Sequence, residues 1–330
     1  MLKKIMNDPS QVVDDMLKGM VFCHGDLIER LEGFEVIQRK SEKTGKVAVI
    51  SGGGSGHEPS HAGFVGEGML SAAVCGPVFT SPTPDQILEA LKSADEGAGV
   101  ILVIKNYSGD VMNFEMAQEM AEMEDIQVAH VIVDDDIAVE DSLYTQGKRG
   151  VAGTILVHKV LGYAAQQGKS LEEIKAIADA LVPNIKTIGL ALTGATTPEG
   201  GRPSFTLDEE QIEYGVGIHG EPGYRTEKLQ PSKGLALELG EKLLNEFDAK
   251  AGDKYGVLIN GMGGTPLMEL YVFANDVANL LSEREVEVEF HKLGNYMTSI
   301  EMQGLSLTLI KLTDTYWLEA LEAPVQTIAW

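Results

Sequence analysis

Four side chains carry most of the chemistry open to this sequence: His57, Lys105, Asp110 and His219. His57 closes the stretch SGGGSGHEP at 51–59, directly after an apolar run at 47–50. Lys105 and Asp110 bracket Lys105-Asn106-Tyr107-Ser108-Gly109-Asp110, and His219 lies in Ile218-His219-Gly220-Glu221-Pro222-Gly223. An imidazole can move a proton near neutral pH or add to a carbonyl. Glycines after a strand, here including Gly54 and Gly56 on either side of Ser55, let the backbone approach a ligand closely from a turn. Taken singly, each residue has a plainer reading: a hydrogen-bonded structural histidine, a solvated lysine at a strand end, an aspartate capping the helix that follows. Together, two glycine-flanked histidines, a lysine and an aspartate at strand ends point to a small polar pocket.

Stock motifs do not fit the glycine stretch. A phosphate loop needs Lys after its last glycine, and His57 stands there instead. A dinucleotide fingerprint and a nucleophile elbow each need glycine where His57 sits. His57-Glu58-Pro59-Ser60-His61 spells H-E-x-x-H, but Pro59 denies the two histidines one continuous helix, which excludes the zinc-protease geometry. Asp134-Asp135-Asp136 reads as solvated or helix-capping carboxylates rather than a metal site, since hard cations need oxygens from several elements. The methionines of 112–123 read as core filling. No metal ligand set is expected.

Short Val- and Ile-rich runs at 47–50, 72–75, 100–104 and 128–133 alternate with helical patterns at 84–91, 111–123 and 151–165. That alternation predicts a layered α/β sheet. One more helix within 168–184 ends at Pro183, which places a boundary there. Strands at 187–192, 256–259, 286–290 and 305–312, with a loop at 193–203 and helices at 235–247 and 266–281, predict a second unit. Period-two alternation in 286–290 and 306–310 makes its sheet mixed. The expected fold is therefore α/β, with two domains, 1–184 and 185–330, each a parallel or mixed sheet flanked by helices.

Across 330 residues, 50 Asp and Glu against 26 Lys and Arg give a formal charge of −24. Such a surface repels nucleic acid and anionic lipid as principal partners, while a local donor cluster could still take a small phosphorylated ligand. Cys23 and Cys75 stand alone, as reduced core thiols would. There is no apolar leader, and no apolar run approaches the roughly 18 residues of a membrane span. The expected location is cytoplasmic.

SGGGSGHEP, FTSPTPDQI at 79–87, IKNYSGD at 104–110, VDDDIAVEDSLYTQGKRG at 133–150, GVGIHGEPG at 215–223 and NGMGGTPLMELY at 260–271 occur in family order along the chain. In this the sequence resembles the K subunits of the dihydroxyacetone kinase family. The resemblance implies that a ring nitrogen of His219 binds dihydroxyacetone covalently as a hemiaminal. It implies that Gly54, Ser55, Gly56, His57, Lys105 and Asp110 form the substrate-binding set. His219, His57 and Asp110 would be catalytic, with either His57 or Asp110 as the formal base. The 330 residues show no phosphate loop, and no nucleotide-binding helical domain is expected after Trp330. The family pattern then implies a phosphoryl donor on a separate L subunit holding ADP and magnesium, recharged through a phosphocarrier M subunit. It also implies a homodimer, and a segment at 224–253 shorter than in some relatives. A second reading in the same family is a dihydroxyacetone-binding co-regulator that signals to a transcription factor. Retention of His57, Lys105 and Asp110 favours the enzyme.

Overall fold

A computed structural model describes residues 3–41, 43–139, 147–221 and 223–330. Helix α1 (Val12–His24) leads to a hairpin of β1 (Ile28–Arg30) and β2 (Val36–Arg39). There follow β3 (Ala48–Ser55), β4 (Ala72–Val78), α2 (Pro84–Ala94), β5 (Val100–Lys105), α3 (Ser108–Glu122), β6 (Val128–Val133), α4 (Thr154–Gln166) and α5 (Leu171–Leu181). The first sheet runs β1-β2-β4-β3-β5-β6. Its β4-β3-β5-β6 core is parallel, and the hairpin joins antiparallel at one edge.

The apolar run of β5 is buried on both faces. Ile101 and Val103 join the core under α4 and α5, while Val100, Leu102 and Ile104 join the core under α2 and α3. Such two-sided burial is why parallel strands read as unbroken hydrophobic runs. Local signals fix the helix starts. Pro84 opens α2, where its missing N–H costs nothing. Ser170 and Glu173 form a reciprocal capping box at α5.

The second sheet is made of β7 (Ile185–Ala191), β8 (Gln211–Tyr214), β9 (Arg225–Lys228), β10 (Lys254–Gly261), β11 (Glu287–Gly294) and β12 (Gly304–Lys311), in the order β11-β10-β12-β7-β8-β9. Only β10 and β11 run parallel in it, so it too is mixed. Helices α6 (Ser232–Glu246) and α7 (Leu267–Glu283) share one core with this sheet. Helix α8 (Thr315–Glu322) returns to pack on α4, so Trp317 and Leu321 share a core with Val157 and Leu161. Leu258, Phe290 and Ile310 enter that same core. Both halves are thus α/β with mixed six-stranded sheets flanked by helices.

The elements differ from the sequence reading in instructive ways. Strand β3 continues through the glycines to Ser55, so the glycine stretch is strand and not turn. Helix α1, the β1–β2 and β8–β9 pairs and α8 were not expected. The alternation of β12 does not mark a solvent face. This strand is central, and its polar residues are buried and paired, Thr308 with Thr187 and Ser306 with Asn260. In β11 only Phe290 is buried, as suits an edge strand.

Of the methionines in 112–123 only Met120 packs on the core, because Met112, Met116 and Met123 are 59%, 48% and 80% exposed. Cys75 is a core thiol, but Cys23 is exposed. Asp135 and Asp136 are buried rather than solvated. Asp135 accepts the backbone N–H groups of Val151 and Gly153 ahead of α4, whereas Asp136 pairs with Arg149.

Candidate active site

Strands β3 and β5 deliver the first three site residues, and the reason lies in the glycines. Neighbouring parallel strands leave room for side chains on both faces, yet here other protein groups occupy that room. A Cβ at Gly52 would lie 2.4 Å from the carbonyl of Val74, and one at Gly54 would lie 2.5 Å from the amide of Thr80. A Cβ at Gly53 would lie 2.3 Å from Lys105 Nζ. The glycines therefore admit the Lys105 side chain and the 79–80 backbone against the strand. Ser55 places its hydroxyl on the Gly76 carbonyl at 2.7 Å, and Gly56, at φ +102°, donates its N–H to the Glu58 carboxylate at 3.0 Å.

Lys105 is fully buried, not a solvated strand end. Its ammonium sits 3.0 Å from Asp110 Oδ2 and donates to the Gly52 carbonyl at 3.3 Å. Asp110 lies in the first turn of α3 but does not cap it. The N-cap position is Tyr107, and the Asp110 carboxylate instead takes Lys105 on one oxygen and the Ser81 hydroxyl on the other. A buried ammonium–carboxylate pair is held only where both partners are satisfied.

His57 is buried beside this pair. Its Nδ1 lies 2.8 Å from the Thr298 carbonyl, an acceptor only, so Nδ1 carries the proton and Nε2 presents a lone pair. Nε2 has no hydrogen-bond partner among the described residues. Burial, reinforced by the Lys105 charge, pulls the pKa of His57 down to about 3. Phe79 stacks on the ring at 5.1 Å.

His219 arrives from the second half and meets His57 edge to face, with centroids 4.8 Å apart. The Tyr107 ring stands at 4.4 Å and Phe79 at 5.5 Å. Desolvation, then the neighbouring His57, Lys105 and Arg149, hold the imidazole well below its usual pKa, so it is neutral and nucleophilic at pH 7. The backbone N–H of His219 donates to Glu221 Oε2 at 2.9 Å. Pro222, the next residue of this loop, lies outside the described residues, as do 140–146 of the 133–150 motif.

The second glycine stretch, at 260–264, does not touch the four side chains in any described contact; it supports them. Asn260 at the end of β10 accepts the N–H groups of Tyr296 and Met297 and donates to the Met297 carbonyl. A Cβ at Gly263 would lie 2.0 Å from the Ile300 carbonyl. The segment so gripped donates from Thr298 N to the His57 carbonyl and from Ile300 N to the Gly56 carbonyl. It also supplies the carbonyl that sets the His57 tautomer. Thr298, Ser81, Phe79, Tyr107 and Glu221 are the residues that motif reading missed. Phe79, Ser81, Tyr107 and Glu221 sat inside quoted motifs, whereas Thr298 acts through its backbone and leaves no side-chain signal.

The four side chains named from sequence thus converge, with a free imidazole nitrogen, a neutral second imidazole and a lysine–aspartate pair in one place. Among the described residues no group of His, Cys, Asp and Glu is arranged to hold a metal, and no helix is long and apolar enough to cross a membrane.

A family model described as the Dak1 domain matches residues 18–329. The chain is 68% identical over 328 residues, 99% of each chain, to a Lactococcus lactis subsp. lactis (strain IL1403) protein. That protein is named PTS-dependent dihydroxyacetone kinase, dihydroxyacetone-binding subunit DhaK. A solved structure described as the dihydroxyacetone kinase operon co-activator Dha-DhaQ superposes with TM-score 0.92 at 42% identity, covering 98% of this chain and 99% of that one. The native dihydroxyacetone kinase of C. freundii superposes with TM-score 0.92 at 35% identity, covering 100% of this chain and 60% of that one.

Proposed function

The chain belongs to the Dak1-domain family, and from that premise we propose that it is the dihydroxyacetone-binding subunit of a phosphoenolpyruvate-dependent dihydroxyacetone kinase. The observation that carries this reading is the meeting of His57 Nε2, the Lys105–Asp110 pair and neutral His219. A ring nitrogen of His219 adds to the ketone carbon, and the carbonyl electron pair moves to oxygen. The ring N–H proton is released as that oxygen gains one, leaving a neutral hemiaminal. Capture selects short carbonyl compounds over glycerol, which has no carbonyl, and fixes the terminal hydroxyl in place.

Gly54, Ser55, Gly56, Lys105 and Asp110 surround the captured ketone in this reading. The terminal hydroxyl gives its proton to His57 Nε2 or Asp110 as its oxygen attacks the incoming phosphoryl group. Reversal of the hemiaminal then frees dihydroxyacetone phosphate. Such base assistance contributes ~10²–10⁴ in rate, and the remainder of phosphoryl transfer is positioning and charge.

The unit 1–184 supplies the base and the ion pair, and the unit 185–330 supplies the capturing imidazole. The donor is a separate L subunit that carries ADP and magnesium and is recharged by a phosphocarrier M subunit in the cytoplasm, with this chain as a homodimer. The name of the 68% identical relative supports that reading.

The test is dihydroxyacetone phosphate formation in two mixtures. Product is expected only when an L subunit and a phosphoenolpyruvate-fed carrier are added, and not with ATP and magnesium alone. Product with ATP alone contradicts the separate-donor reading. Ketone capture without product, in the presence of an active matched L subunit, transfers the assignment to the co-regulator class that the co-activator structure represents.

A further inference from the structure

We propose that the buried triad Asp136–Arg149–Glu221 positions His219 for addition to the ketone, a role that rests on the capture reading above. Arg149 is 1% exposed although it carries a full charge. Its Nε donates to Asp136 Oδ2 at 2.8 Å, and one terminal nitrogen lies 2.6 Å from that same oxygen. This terminal nitrogen also donates to the Gly215 carbonyl at 2.8 Å, and the other makes a charge contact without a hydrogen bond, 3.5 Å from Glu221 Oε1. The second Glu221 oxygen accepts the N–H of His219. One guanidinium therefore hydrogen-bonds one end of the 215–221 loop and faces the carboxylate at the other end as a charge, while it is fixed to residue 136, just beyond β6.

The loop is wrapped directly onto this group. A Cβ at Gly217 would lie 2.1 Å from Glu221 Oε1 and 2.7 Å from Arg149 Nη1, so only glycine fits between them. A planar fork with five donors is what such a task needs; lysine has the charge but not the reach in several directions. A plain fold staple would be met by the Asp136 pair alone. The added links to Gly215 and Glu221 run only to the loop that carries the reacting ring. The positive charge facing that loop also helps keep His219 neutral.

The experiment compares wild type, Arg149→Lys and Glu221→Gln, each with an active L subunit and carrier, and with dihydroxyacetone carrying carbon-13 at the ketone carbon. In Arg149→Lys the KM for dihydroxyacetone is expected to rise about tenfold or more, while kcat at saturation changes by less than about threefold. The carbon-13 signal of the tetrahedral adduct should shrink in parallel at fixed ketone. A residue that only stabilises the fold would lower the active fraction, reducing kcat with KM unchanged, and that outcome overturns the proposal. Glu221→Gln, which keeps an acceptor for the His219 N–H but loses the charge on Arg149, decides the matter if Arg149→Lys does not fold. It should show the same rise in KM, and an unchanged KM there overturns the proposal equally. Product formed by wild type without any adduct signal sinks the capture reading itself, and the positioning role with it.

Discussion

At the scale of single residues, the Thr298 carbonyl decides what His57 can do. It fixes the proton on Nδ1, and burial keeps the ring neutral far below neutral pH. With His57 as the proposed base, the ring is already in its working form, and the turnover rate should be flat between about pH 6 and 8 in single-turnover measurements with charged L subunit. An acid limb centred near the ordinary histidine value would contradict the assignment. Asp110→Asn should keep adduct formation and lose ~10²–10⁴ in kcat, whereas His219→Ala should lose the adduct altogether. Carbon-13 spectra of the bound ketone, read beside product formation, separate the two. The convergence of His57, Lys105, Asp110 and His219 was legible in sequence because each presents a polar side chain in a motif. The groups that orient them were not, because a backbone carbonyl at 298 and aromatic faces at 79 and 107 have no signature of spacing.

At the scale of elements, the lesson is in β3. Glycine is a weak strand former, so sequence reasoning ended the strand where the glycines began. Tertiary packing overrode propensity there, since the strand must admit Lys105 and the 79–80 backbone. Gly54→Ala should therefore destabilise the fold by about 1–3 kcal/mol, as overpacking does, and lower turnover by displacing Phe79 from the His57 ring. Urea midpoints and kcat measured on the same sample test both parts, and an unchanged midpoint would refute the packing account. The helix α3 misled in the opposite way. Its methionine spacing read as core, but the buried stripe is made by Phe114, Ala117 and Ala121. Small residues that let a helix lie close to a sheet are harder to recognise than large apolar ones.

At the scale of the whole molecule, the fold class was legible because strand runs and helical periods alternate through both halves. The shared core was not, because the return of α8 onto α4 depends on contacts more than 150 residues apart in sequence, such as Lys159 with the Ala320 carbonyl. Four imidazoles held below their ordinary pKa, His57, His61, His158 and His219, give the molecule a characteristic acid response. His57 and His158 are held at about 3, and His61 and His219 are also well below 6.5. Their folded pKa values lie below the unfolded value, so the unfolded chain binds more protons between the two. The stabilisation is fully present above about pH 6.5 and is lost as pH falls towards the lowered folded values. Asp135, pushed up to about 6, and Glu58 and Asp136, also raised by burial, act in the opposite sense and offset part of this loss. Denaturant midpoints should therefore fall steadily from pH 6.5 to 4.5, and a flat profile there would refute the neutral buried histidines. The clasp of residues 298–300 on 56–57 has an evolutionary consequence as well. His219 and the Thr298 carbonyl that sets the His57 tautomer belong to one half, and His57, the proposed base, to the other. Recombination between relatives at the junction near 184 would keep both sheets yet part the base from its matched carbonyl. The two halves should therefore be inherited as one heritable unit.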